Sequence, residues 1–186
     1  MDARKLLDAL LIAERLKDAT RHCYTAGGRH ESVAEHSWMM TLMAFFMRDE
    51  FPEADMDKVI RMCIIHDLGE AFTSDIPTFE KTQAHEAAEE SLLNGWVDAL
   101  PDPVRSEMQA LYQEMAQRQT TEARIYKAID GLEALIQHNI SDISTWIPRE
   151  YSLNMTYADD KVAFCEYLTA VREAVREDTR KKIGEA

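Results

Sequence analysis

The pair His66-Asp67, with Glu70 three residues after the aspartate, is the strongest lead to chemistry in this sequence. On a helix His66 and Glu70 stand one turn apart on a common face, and Asp67 is rotated by about 100° from His66. An ion lying between those directions can take an imidazole and a carboxylate together. That donor pair suits Mn, Fe, Co, Ni or Zn, and Mg stays open if oxygen dominates the shell. The competing reading is a helix end carrying solvated charges, because isolated His-Asp pairs are common. His36, in the string Glu31-Ser32-Val33-Ala34-Glu35-His36-Ser37, is a second donor; standing alone, it reads as a histidine packing beside Trp38 and Met40. Asp130 is the third. Its helix carries the apolar stripe Ile125, Ile129, Leu132 and Ile136, and the 3.6-residue period puts Asp130 off that stripe, beside Tyr126, Glu133 and Gln137, as a surface carboxylate.

These groups need rigid elements to hold them, and helical periodicity dominates the chain. It predicts a helix over 3–18, with Leu6, Leu7, Leu10 and Leu11 as its stripe. Ser32 and Glu35 form a capping box, in which hydroxyl and carboxylate satisfy free amides reciprocally. The helix they open runs through Trp38, Leu42 and Phe46 and stops before Pro52. Further helices are predicted over 56–71, 84–100, 103–118, 122–139 and 159–181, separated by functional loops at 20–31, 73–82 and 142–157. Gly27-Gly28 marks a turn in the first of these loops. No segment alternates with period two, so the expected fold is all-α, a helical bundle.

The bulk composition narrows the partners. With 186 residues, 46% hydrophobic and 30% charged, the chain suits one domain with a sizeable core. The formal charge of -13 repels a nucleic-acid polymer, so a small anionic substrate needs a local basic contact. Cys23, Cys63 and Cys165 are widely spaced and odd in number, which suggests neither a disulfide scaffold nor a thiolate zinc site and fits a reducing cytoplasm. The acidic residues Asp2, Asp8, Glu14 and Asp18 argue against a signal or transit peptide. The longest nearly apolar stretch, 38–47, is about half of what a membrane span requires, so a soluble protein with no membrane partner is expected.

The order His36, then His66-Asp67, then Asp130 resembles the H…HD…D signature of the HD-domain phosphohydrolases. The strings Glu31 to Ser37, His66-Asp67-Leu68-Gly69-Glu70 and Asp75-Ile76-Pro77-Thr78 resemble, more narrowly, the bacterial 5′-deoxynucleotidases and the related HD domain-containing protein 2 family. The similarity runs from about residue 11 to 137. It implies a single HD domain of the PDEase-like helical type over 1–186, with its metal-site core at about 20–140 and a C-terminal helical segment at about 159–181. It implies one divalent metal ion, Mn, Co, Zn, Ni, Fe or Mg, on His36, His66, Asp67 and Asp130. His36 and Asp67 then also face the bound phosphate. Glu70 becomes the general acid or base, and Asp75 a catalytic and sugar-binding group. Ile76, Pro77 and Thr78 complete that substrate loop, and Arg21 takes the phosphate. The implied reaction is hydrolysis of a (deoxy)nucleoside 5′-monophosphate to nucleoside and phosphate, and the resembling families often form homodimers.

Two departures stand out. The family's tryptophan after the arginine, which helps to distinguish deoxyribose, is His22 here; His22 is either a substrate contact or a loop residue. Ser74 stands where a glycine commonly precedes the aspartate of the substrate loop. Sugar selectivity is therefore open, and so is another phosphorylated substrate: a nucleoside di- or triphosphate, a signalling nucleotide or another phosphomonoester. A helical regulatory module with a structural metal is the reading from outside enzymology, and Glu70 with Asp75 argues against it. His30, His85 and His138 suggest no second metal site, Lys81 reads as a solvated lysine, and Trp146 as ordinary packing.

Overall fold

The computed structural model describes residues 1–185; Ala186, the last residue of the expected domain, lies outside them. Ten α-helices and one two-stranded sheet follow the chain in the order α1 (Ala3–Ala13), β1 (Thr20–Tyr24), β2 (His30–Ser32), α2 (Val33–Phe46), α3 (Met56–Ile65), α4 (Glu70–Thr73), α5 (Gln83–Asp98), α6 (Val104–Gln117), α7 (Thr121–Ile140), α8 (Pro148–Thr156), α9 (Asp159–Val162) and α10 (Glu166–Gly184). The fold is helical, as the periodicity requires. None of its helices is long and apolar enough to cross a membrane among the described residues.

Helix α7 is the axis. It packs against α2, α3, α6, α9, α10 and β1. Its Ile125, Ala128, Ile129 and Leu132 are fully buried against Met40 and Ala44 of α2, Val59 and Met62 of α3, and Leu168 of α10. A second cluster joins Leu16 and Val33 to Leu68, Leu93, Val97 and Met108, seating α5 and α6 beside the segment that carries the HD pair. Gly131 allows α7 to approach the start of α9 closely: a Cβ there would meet the Ala158 Cβ at 2.9 Å.

Several boundaries differ from the periodic reading. The 20–31 loop is an antiparallel hairpin pairing Thr20 with Ser32 and Tyr24 with His30, with Gly28 at φ +79° in its turn. Period two is invisible in a strand pair this short. The helix predicted over 56–71 ends at Ile65: hydrogen bonds from Leu68 N to Ile65 O and from Glu70 N to Asp67 O wind the chain into tighter turns before α4. The Tyr112 hydroxyl donates to the Ile65 carbonyl at 2.6 Å, occupying an acceptor that the helix end releases. The 3–18 helix finishes in a 3₁₀ turn from Glu14 to Lys17. The 142–157 loop contains α8, with Pro148 at its first position, where a missing N–H costs nothing. The last predicted helix is two, α9 and α10. The Ser32–Glu35 capping box forms as expected.

Leu132→Ala should lower stability by about 2–5 kcal/mol, because the fully buried site between three helices has little room to collapse. Urea denaturation monitored by circular dichroism measures it.

Candidate metal centre and substrate cavity

His36 enters the site from the first turn of α2, where the capping box fixes the helix start. Its ring is wholly buried, and its Nδ1 hydrogen-bonds to the buried Glu133 of α7. His66 lies just past the end of α3, with its Nδ1 3.0 Å from the Cys63 carbonyl oxygen. A carbonyl only accepts, so this Nδ1 carries the proton and the Nε2 lone pair points inward. The two Nε2 atoms then face one another at 3.2 Å. Around them lie Asp67 Oδ2, 2.9 Å from His66 Nε2 and 3.8 Å from His36 Nε2, and Asp130 Oδ1, 3.4 Å from His36 Nε2. The other Asp130 oxygen is held by the Lys127 ammonium at 2.6 Å.

This arrangement calls for positive charge at its centre. Burial and Arg21 both favour a neutral His36, yet Glu133 and Asp130 outweigh them and draw the ring up to about 10. Burial also opposes ionisation of Asp67 and Asp130, but His66 holds the first, and Lys127 with His36 the second, well below the usual carboxylate range. Two imidazoles and two carboxylates converging from three parts of the chain, with the imidazole outer nitrogens already engaged, fit a divalent cation.

Asp130 therefore does not lie on the surface. α7 has two buried faces, and the second carries Asp130, Glu133, Gln137 and His138. Gln137 donates to the Tyr24 carbonyl at 2.6 Å, tying this face to the hairpin. The sequence shows Glu133 only as a neighbour of Asp130, without a role at the centre; its place one turn after Asp130 is the available signal.

A cavity of about 470 Å³ opens from the centre. Arg21, Glu70, Asp75, Ile76, Pro77 and Thr78, the substrate-facing residues expected from the sequence, all line it, as do Asp67 and Asp130. His36, also expected to face the phosphate, is wholly buried and does not line it; His36 touches Asp67 and Asp130, and His66 touches Asp67. Arg21 sits on β1, not on a surface loop, with Nε 3.1 Å from the buried Glu31 carboxylate. Burial opposes its charge, but Glu133, Glu31 and Asp75 keep the guanidinium protonated. Burial, reinforced by the charges of Asp67 and Asp75, pushes Glu70 up to about 9, and its Oε2 is buried without a hydrogen-bond partner. His22 also lines the cavity, with Nε2 3.0 Å from Glu150 Oε1.

A family profile described as HD domain matches residues 13–171, across the centre and the cavity. The chain belongs to the HD domain family. Within this family, the human protein named 5′-deoxynucleotidase HDDC2 is 29% identical over 140 residues, 73% of this chain and 67% of its own. The Schizosaccharomyces pombe protein named 5′-deoxynucleotidase hdd1 is 25% identical over 148 residues, 74% of each chain. Among solved structures, a Magnetospirillum magnetotacticum MS-1 protein described as a predicted metal-dependent phosphohydrolase superposes with a TM-score of 0.79 at 25% identity, over 96% of this chain and 95% of its own. HD phosphohydrolases are metal-dependent, and the donor cluster of this HD domain fits that chemistry.

Ser74, at the position that departs from the family glycine, has φ +62° and ψ 165°. That region is open to glycine and strained for a side chain, by about 1–3 kcal/mol. Ser74→Gly should therefore raise stability, by about 1 kcal/mol after the added chain entropy of glycine, read from the shift in denaturation midpoint. Glu133→Gln, which weakens the support behind His36, should reduce divalent-metal affinity about 10–100-fold, measured by competition with a chelating dye.

Proposed function

We propose that the protein hydrolyses nucleoside 5′-monophosphates, foremost deoxynucleotides, to nucleoside and phosphate, with one divalent ion held by His36, His66, Asp67 and Asp130. The reading rests on one observation: Asp67 and Asp130, in contact with His66 and His36, line the same cavity as Arg21, Glu70 and Asp75. The name 5′-deoxynucleotidase borne by the human and fission-yeast relatives supports the substrate class.

A divalent ion in this site supplies Lewis acidity, lowering the pKa of a coordinated water and offsetting phosphate charge. The protein's own groups do the rest. Arg21 gives the phosphate a planar fork of donors in a chain of otherwise negative charge. Water forms the new bond to phosphorus as the bond to the 5′ oxygen breaks; Glu70, whose burial favours the protonated form, gives its proton to that oxygen and takes one back from the attacking water, whose other proton stays on the phosphate. Asp75, with Ile76, Pro77 and Thr78, positions the sugar. A cavity of about 470 Å³ suits a single nucleotide rather than a polymer.

One observation favours a second substrate. His22 is held by Glu150 on the cavity wall, so the sugar pocket differs from the family pattern, and another phosphorylated compound becomes a competitor. A purely structural metal module is disfavoured by the buried, unpartnered oxygen of Glu70, a residue that lines the cavity. We further read residues 1–186 as one domain in a reducing cytoplasm, on its free thiols. We infer a homodimer through the exposed Leu6, Leu7, Leu10 and Leu11 row or the exposed Trp38, Phe45 and Phe46.

Metal-loaded protein should release phosphate from dNMPs faster than from NMPs, dNTPs or p-nitrophenyl phosphate. No release from any of them at full metal occupancy would refute the proposal. Asp67→Asn should lose both metal and activity. Glu70→Gln should retain the metal while kcat falls about 10²–10⁴-fold, and full activity in that variant would remove Glu70 from the chemistry.

A further inference from the structure

A second convergence of donors lies on the same cavity wall. His22 comes from β1, His138 from the second face of α7 and Glu150 from the first turn of α8. Glu150 Oε1 is 3.0 Å from His22 Nε2 and 3.7 Å from His138 Nε2, and the three donor atoms all lie within 4.8 Å of one another. The separations in the first cluster that involve Asp67 run from 2.9 to 3.8 Å. Ligands at about 2.0–2.1 Å from a tetrahedral ion stand roughly 3.3 Å apart.

Each donor is held by something other than its neighbours in the triad. The second Glu150 oxygen accepts the Ile147 backbone N–H at 2.8 Å, which caps α8 and turns Oε1 toward the imidazoles. Trp146 meets the His138 ring edge-on at a centroid distance of 5.8 Å, and its indole N–H donates to the His138 carbonyl. Phe79 meets the His22 ring in the same manner at 5.5 Å. Glu150 and His138 are buried, while His22 is partly exposed to the cavity, leaving access for a ligand. Arg21, the cation next to His22 in sequence, has a carboxylate of its own in Glu31.

We propose that His22, His138 and Glu150 form a second site for a divalent transition-metal ion, with a further coordination position open to the substrate cavity. Two imidazoles and one carboxylate suit Zn²⁺ and its neighbours over Mg²⁺ or Ca²⁺. A cation here adds positive charge to a cavity in which Arg21 is otherwise tied to Glu31. It also gives His22 a role other than direct contact with a sugar. The site stands on its own three residues, independently of the proposed nucleotidase reaction.

The test is metal content, with Zn²⁺ as the probe. Chelator-stripped full-length protein is loaded with Zn²⁺, freed of excess by gel filtration and analysed by elemental mass spectrometry. Wild type should hold two ions per chain, His138→Gln one, Asp67→Asn one, and the double variant none. An ion count that His138→Gln leaves the same as in wild type, whether one or two, overturns the proposal and leaves the triad as a hydrogen-bonded array. If His138→Gln fails to fold by circular dichroism, His22→Asn decides, since that side chain is partly exposed: one ion fewer than wild type supports the site and an unchanged count refutes it. Loss of nucleotidase activity plays no part in the readout, so failure of either proposal is seen separately.

Discussion

The Nε2 atoms of His36 and His66 face each other at 3.2 Å, and that contact needs positive charge between them, either a proton shared by the rings or a cation. Much of the surrounding structure serves to enforce it. The Cys63 carbonyl fixes the tautomer of His66, Glu133 engages the outer nitrogen of His36, and the end of α3 at Ile65 lets the next two residues turn toward α7. Glu133 also faces Arg21, so this buried side chain supports both the His36 ring and the guanidinium, and the cost of its burial is offset by those partners.

Helix α7 connects this centre to the rest of the fold because it is buried on two sides. Ile125, Ile129 and Leu132 carry the packing, while Asp130, Glu133, Gln137 and His138 carry polar functions in order along the other face. Since the apolar face is anchored between α2, α3 and α10, the polar face cannot rotate away. Rigid placement of ligands on a core helix gives better-defined geometry than a loop provides. The hairpin does the same for Arg21 and His22: residues on a paired strand, tied to α7 through Gln137, are aimed by backbone hydrogen bonds.

Electrostatics at the site run against the whole-molecule charge. A net charge of -13 does not attract a phosphate ester from a distance. Arg21, Lys81 and Lys127 lie on the cavity wall, where Glu31, Glu89 and Asp130 respectively pair with them. Arg118 and Lys161 line the same cavity without a carboxylate partner among the described residues, so local positive charge is present on a wall of a negatively charged protein.

The sequence by itself determined the helical class and the capping box that starts α2, because periodicity and cap spacing are local properties, and its spaced motifs brought His36, His66, Asp67, Asp130, Glu70 and Asp75 forward as candidates. The HD strings carried the family in the same way. It did not reveal the hairpin, whose strands are too short to show alternation, or the early end of α3, which depends on turns closed after Ile65 and on the distant Tyr112. Periodicity also misplaced Asp130, since a charged face reads as solvated unless one knows what packs over it. Only the tertiary structure decided that Glu133 stands behind His36, 97 residues away, and that His22, His138 and Glu150 meet. Contacts of such separation follow from the docking of α7 against the hairpin and α8, and no short window of residues contains that information.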